Sequence, residues 1–256
     1  MYKARLITLI LIIVQAIFAF SSYASELVEP TLSSNGNVFY GYFQSIYKNK
    51  KDTYNQSKTN SRCALDFAKA CFEFAEFATN KTQRAELANE GIEAAKNVLQ
   101  VEPDNGEAHY WLAMNLAQLS RTKGWSALKI VKEMEKEYLR AIELNPFVDY
   151  AGPHRLLGIL YRDAPGWPIS IGSKQKSKHH LGQAIKFAPE FPDNHIFLIE
   201  SYLKWGEKSA AVDQYKKALP LIEKARGALT EDYWKASWAD WTARLKKISD
   251  KLKISN

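Results

Sequence analysis

The stretch "AGPHRLLGILYRDAPGW" (residues 151–167) sets a helix-like run between two Gly/Pro marks. Either it is a ligand loop with its own chemistry or it is one copy of something repeated. Three prolines elsewhere close helix-like runs in the same way: Pro103 in "NVLQVEPDN", Pro146 in "RAIELNPFVD" and Pro189 in "QAIKFAPEFPDN", at intervals of 43 and 43. A few residues after each, a histidine opens the next apolar run: His109 in "HYWLAMNLAQL", His154 in "HRLLGILY" and His195 in "HIFLIESYLKWG". Self-similarity at a fixed period of this size marks stacked structural repeats. The opening stretch is therefore a copy.

Within each copy the pattern reads helix, turn, helix. Leu157, Gly158 and Tyr161 put a small residue one turn before an aromatic, which lets a second helix pack closely on the first. Leu198, Tyr202, Gly206, Ala211, Tyr215 and Ala218 continue that apolar and small-residue spacing in the next copy, as one buried helix face requires. Residues 60–229 resemble the tetratricopeptide repeat, whose signature runs Leu-Gly-x-x-Tyr, then Ala-x-x-x-Phe, then Pro. Leu157, Gly158, Tyr161 and Pro189 carry the likeness in one copy, and Leu198, Tyr202, Ala211, Tyr215 and Ala218 in the next. In the copy from Glu107, Leu112 and Ala113 stand for Leu-Gly, and Leu116 for the Tyr. The resemblance implies an all-α solenoid of three to four helical hairpins. Its usual period is 34, so the 43-residue spacing is a departure. The extra residues are expected mainly between the two helices of a unit, in "RTKGWSALKIV" and "APGWPISIGSK". Each contains Gly-Trp, and Trp125 and Trp167 either cover the helix ends beneath them or rim a ligand groove.

Around this array the chain divides into a leader (1–24), an N-terminal lead-in with a short helix (25–58), the repeats (59–229) and a C-terminal capping helix (230–256). The leader has basic Lys3 and Arg5, an apolar run over residues 6–20, and Ser22-Tyr23-Ala24 with small residues where a signal peptidase reads. Cleavage after Ala24 and a periplasmic or secreted destination are expected. The alternative, an uncleaved anchor, has an apolar run shorter than the ~20 residues that span a bilayer. No later segment is apolar enough to cross a membrane. Loss of Lys3 and Arg5 lowers the formal charge from +7 to +5, and export argues against nucleic acid as a partner. At the other end, Trp234, Trp238, Trp241, Leu245 and Ile248 make one apolar stripe, read as the core of a cap. Cys63 and Cys71 share a helical face about 12 Å apart, too far for a disulfide, and are read as core-filling residues.

No constellation for catalysis stands out. The sequence "IGSKQKS" lacks the second glycine of a nucleophile elbow, and neither a phosphate loop nor a dinucleotide fingerprint is present. His179-His180 reads as a solvated dyad, and neither a cofactor nor a metal is expected. His109, His154 and His195 read as interior imidazoles hydrogen-bonded to the loops before them. That leaves a binding surface. In the resembled family the first helix of each repeat lines a concave groove. Transferring that offset selects Tyr110, Met114, Ala117 and Gln118; then Arg155, Ile159, Arg162 and Asp163; then Ile196, Glu200, Leu203 and Lys204. Arg offers a planar fork to carboxylates, and Tyr and Met give adaptable apolar contact. Tyr110, Met114, Gln118, Trp125, Arg155, Arg162, Trp167 and Lys204 are the candidate partner-binding residues. The expected function is an exported, non-enzymatic scaffold for a protein or peptide. The "GPHRLLG…APGW" block and the architecture also resemble the repeat-containing accessory component of tripartite, ATP-independent periplasmic transporters. That alternative implies a hydrophobic or anionic small molecule as ligand.

Overall fold

A computed structural model describes residues 36–254 with the exception of Trp125; the expected leader lies outside the described residues. Helix α1 (Gly36–Gln56) is followed by four antiparallel hairpins: α2 (Ser61–Glu76) with α3 (Lys81–Val101), α4 (Gly106–Ser120) with α5 (Ala127–Leu144), α6 (Val148–Asp163) with α7 (Lys174–Phe187), and α8 (Pro192–Lys204) with α9 (Lys208–Ala228). A 3₁₀ turn (Asp232–Trp234) then leads into α10 (Lys235–Leu252). The expected all-α hairpin solenoid is what the chain forms. The lead-in helix is not short, because α1 runs 21 residues and lays Phe43, Tyr47 and Tyr54 on the first hairpin.

Local chemistry explains the boundaries. Asn60, Asn80, Asn105 and Ser173 each place a side-chain oxygen on an amide of the first turn, at 3.1, 2.9, 2.9 and 3.3 Å, which satisfies an otherwise unpaired donor. Pro103, Pro146 and Pro189 each fall two residues beyond the last residue of a hairpin's second helix, where a missing N–H costs nothing and the helix cannot continue. The three prolines are thus equivalent. His109 and His195 repeat one bond as well, with Nε2 facing the carbonyl of the proline six residues back, at 3.0 and 2.6 Å. This is the loop contact expected of them.

His154 departs from that expectation, and the cause is local. It stands eight residues after its proline, not six. The two extra residues are absorbed by a left-handed turn in which Asp149, Tyr150 and Ala151 have φ of 49°, 54° and 63°. Regular right-handed helix in α6 therefore begins only after Ala151. His154 is displaced from the loop and instead meets His180 across the hairpin, Nδ1 to Nδ1 at 3.0 Å. His180 is accordingly half-buried rather than solvated, while its neighbour His179, turned away by ~100° of helix, is exposed.

The expected placement of the extra residues holds in one hairpin. Ten residues separate α6 from α7, and the connection is closed by the Gly172 amide on Pro165 O (2.8 Å) and the Ser173 amide on Tyr161 O (2.9 Å). In the preceding hairpin much of the added length extends α5, an 18-residue helix. Cys63 and Cys71 are free, and Cys71 is buried in the core. Among the described residues no helix is long and apolar enough to cross a membrane.

The signature glycine sets the closeness of its hairpin. A Cβ on Gly158 would lie 2.7 Å from Leu181 Cγ and 3.1 Å from the Leu181 amide nitrogen, and Leu181 is fully buried. Gly182, the next residue along α7, has nothing within 4 Å of such a Cβ. Gly158→Ala is therefore expected to destabilise by about 1–3 kcal/mol, whereas Gly182→Ala stabilises by about 0.5–1 kcal/mol through helix propensity. Urea unfolding midpoints of the two variants moving in the same direction would contradict this packing.

Candidate partner-binding face

Curvature decides which surface is concave. The first helices α2, α4, α6 and α8 touch one another in sequence, while successive second helices make no comparable contact among the described residues. The first helices therefore line the inner face.

That face is built from polar rungs between neighbouring repeats. Tyr110 on α4 donates its hydroxyl to Asp149 Oδ2 at 2.5 Å, and Arg155 Nη2 donates to the same oxygen at 2.8 Å. Arg155 Nη1 also reaches the carbonyls of Asp149 and Tyr150, both at 3.2 Å, and Asn194 Oδ1 on α8 at 3.1 Å. Asn194 returns its amide to Tyr150 O (3.1 Å) and Ala188 O (2.9 Å). The left-handed turn is thus held on both sides by side chains that bond its carbonyls. Gly152 is required beside it, since a Cβ there would lie 2.5 Å from the Tyr110 hydroxyl.

A second rung lies one helical stretch further on. Asp163 accepts from Arg162 Nε and Nη2, each at 2.7 Å, and from Lys204 Nζ at 2.9 Å. Burial pushes the Asp163 carboxyl up, but hydrogen bonds and charge from Arg162 and Lys204 together outweigh it and hold the group below its ordinary value. Toward the N-terminus, Gln118 accepts from Arg84 at 2.7 Å and donates to Glu76.

The candidate residues differ in burial. Tyr110, Met114, Gln118 and Arg155 are buried, Arg162 is half-buried, and Lys204 and Trp167 are exposed. Trp125 lies outside the described residues. Tyr110 and Arg155 converge on Asp149, and Arg162 and Lys204 converge on Asp163. Trp167, 89% exposed, does not cover the helix end beneath it. Asp149 and Asn194 were missed in the sequence. Both lie at or before a helix start, outside the one-helix offset used to pick groove positions.

Also missed was what covers this face. The Tyr233 hydroxyl donates to Glu73 on α2, with Lys69 Nζ 4.9 Å from the Tyr233 ring centre. Trp234 stands edge-on to Tyr150 and Phe191, with centres 5.9 and 6.0 Å apart. Trp241 is buried against Phe191. Arg244 donates twice to Glu200 at 2.8 Å and once to Asp193 at 2.8 Å. The expected helix start at Thr230 is replaced by the 3₁₀ turn, and this turn places Tyr233 and Trp234 on opposite neighbours.

The arrangement defines a tetratricopeptide-like helical solenoid with its inner face bridged by its own C-terminal segment. The chain belongs to the family described as regulator of microtubule dynamics protein 1-3, whose model matches residues 32–162, more than half of its 256 residues. Among solved structures it is similar to TTC0263, a thermophilic TPR protein of Thermus thermophilus, with a TM-score of 0.61 at 18% identity over 83% of this chain and 94% of that one. It is also similar to MamA, with a TM-score of 0.50 at 21% identity over 73% and 92% of the two chains. Comparison with curated protein sequences finds no match.

The His154–His180 contact gives a pH test of the third hairpin. Burial pushes both imidazoles down to about 4, His179 adding to the effect on each, and His154 and Lys176 to that on His180. An unfolded histidine titrates near 6.5, so between about pH 6.5 and 4 the unfolded chain binds more protons and stability falls as pH falls. Half-buried Glu73 and Asp240, whose carboxyls desolvation pushes up, act in the opposite direction, so the comparison must isolate the pair. Melting temperatures at pH 7 and pH 4.5 are expected to drop further in the parent chain than in His154→Gln/His180→Gln. Equal drops would show that the pair takes up protons in the fold as readily as in the unfolded chain.

Proposed function

We propose that this chain is a non-enzymatic scaffold that holds a protein partner on the inner face of its repeats, and that it works outside the cytoplasm after export. The observation that carries the reading is that the inner face already accepts polypeptide. A segment bearing Tyr233, Trp234, Trp241 and Arg244 lies across it through aromatic, hydrogen-bond and ionic contacts. Large aromatics and arginine are the side chains that dominate protein–protein recognition. The family's name attaches it to microtubule dynamics, a process of protein assembly, which fits a protein as the partner class. The basic n-region and apolar run of residues 1–24 support export.

The inner face favours a macromolecule over the small hydrophobic or anionic solute of the transporter-like reading. Tyr110, Met114, Gln118 and Arg155 are packed against other residues of the chain instead of lining an open groove. Among the candidate residues, exposed Trp167 is the position at which a partner can be tested without damaging the core. Affinity capture from a periplasmic or secreted extract, read by mass spectrometry, is expected to enrich one protein in a defined ratio. Trp167→Ala should lower that recovery severalfold at unchanged melting temperature. Absence of any protein enriched over an unrelated helical control would contradict the scaffold reading.

A further inference from the structure

The segment that bridges the inner face is attached to the repeats in an unusual way. It follows α9 after a connection of only three residues, 229–231, yet α10 packs mainly on α8 and less on α9, its neighbour in the chain. Its most distant contact, Tyr233 to Glu73, spans 160 residues and joins the last element to the first hairpin. Tyr233 also lies 6.5 Å from Phe43 on α1. Further anchors fall on the beginnings of α6 and α8, at Tyr150, Phe191, Asp193 and, half-way along α8, Glu200, while Trp241, Ile248 and Leu252 also share a buried cluster with Tyr215 and Ile222 of α9. Most of these partners belong to first helices or their N-terminal ends. The segment therefore occupies the surface that a solenoid of this kind offers to a ligand, and it does so as a helix entered through a Tyr-Trp corner.

The contacts also show what the surface selects. An aromatic slot formed by Tyr150 and Phe191, stacked with centres 4.4 Å apart, receives Trp234, and Phe191 also meets the edge of Trp241. A carboxylate pair, Asp193 and Glu200, receives an arginine, which also lies 4.1 Å from the Phe197 ring centre. A carboxylate on α2, flanked by Lys69, receives a phenol. These are pockets for a Tyr-Trp corner and for an aromatic and a guanidinium on the helix that follows it.

We propose that residues 231–254 are a resident ligand that closes the inner face in cis, and that the partner is an amphipathic helix presenting the same groups: adjacent tyrosine and tryptophan, a second aromatic two turns on, and an arginine one turn beyond it. The partner binds by displacing the resident segment. This rests on the scaffold reading above and specifies its ligand. Because segment and partner share one surface, occupancy by either excludes the other, and the free-energy difference between the two states sets the apparent affinity.

A fluorescein-labelled synthetic peptide copying residues 230–254, titrated by anisotropy against the full chain, tests this. The parent chain is compared with full-length Tyr233→Ala/Arg244→Ala, whose own segment is weakened while the pockets are intact. The peptide is expected to bind the variant at least about tenfold more tightly, and the same two substitutions in the peptide should abolish that gain. Equal binding to both chains, or none to a variant with native circular dichroism, overturns the proposal. Hydrogen exchange on the unmodified chain covers the case in which the variant does not fold. Residues 231–254 should exchange faster than α8, and exchange as slow as that of α8 overturns the proposal. Failure of peptide displacement leaves capture of a protein through Trp167 unaffected, so the two readings fail separately.

Discussion

The Arg155 guanidinium sits between the third and fourth hairpins and satisfies four oxygens there: the Asp149 carboxylate, the carbonyls of Asp149 and Tyr150, and the side chain of Asn194. It also lies 4.9 Å from the Phe191 ring centre. On one side of it is the large apolar cluster running from Tyr54 to Tyr161, and on the other the cluster from Phe191 to Leu252. The first helices α6 and α8 meet across this polar seam. A buried cation is tolerable only when it is paired and its donors are used, and here most of them are. The left-handed turn at 149–151 costs on the order of 1–2 kcal/mol per residue, which Arg155 and Asn194 offset by bonding the carbonyls that the turn exposes.

The same seam fixes where the C-terminal segment goes. Tyr150, held in the turn, stacks on Phe191, and that pair is the slot for Trp234. Without the turn the ring of Tyr150 would follow the right-handed course of α6 and leave the slot. A two-residue insertion between Pro146 and His154 thus reaches, through backbone strain and one arginine, the surface across which the first and last elements are joined. Structure at the seam and covering of the inner face are therefore one problem for this chain.

Much of the architecture was legible. The 43-residue phase of Pro103, Pro146 and Pro189 narrowed the hairpin count to three or four because a proline after a helix acts through its own chemistry, independent of tertiary context. The loop bonds of His109 and His195 were legible for the same reason. The left-handed turn was not, since Asp-Tyr-Ala carries no glycine or asparagine to announce positive φ, and only the eight-residue spacing to His154 hinted at it. The burial of Tyr110, Met114, Gln118 and Arg155 was not legible either. The groove offset assumes an open inner face, whereas neighbouring helices take these side chains up: Met114 meets Tyr138, Gln118 meets Arg84 and Glu76, and Tyr110 and Arg155 meet Asp149. Trp167 illustrates the converse: a large aromatic in a ten-residue connection has no neighbouring helix to bury it.

Equilibrium unfolding of Arg155→Met measures the central claim most directly. Methionine keeps the apolar stem and removes the charge, leaving the Asp149 carboxylate with only Tyr110 and the carbonyls of the turn without their arginine donor. Removing one partner of such a buried pair costs about 3–5 kcal/mol, and a loss of that size is the result this account requires. A loss below about 1 kcal/mol, the scale of an exposed ion pair, would show that the seam is held by something other than Arg155.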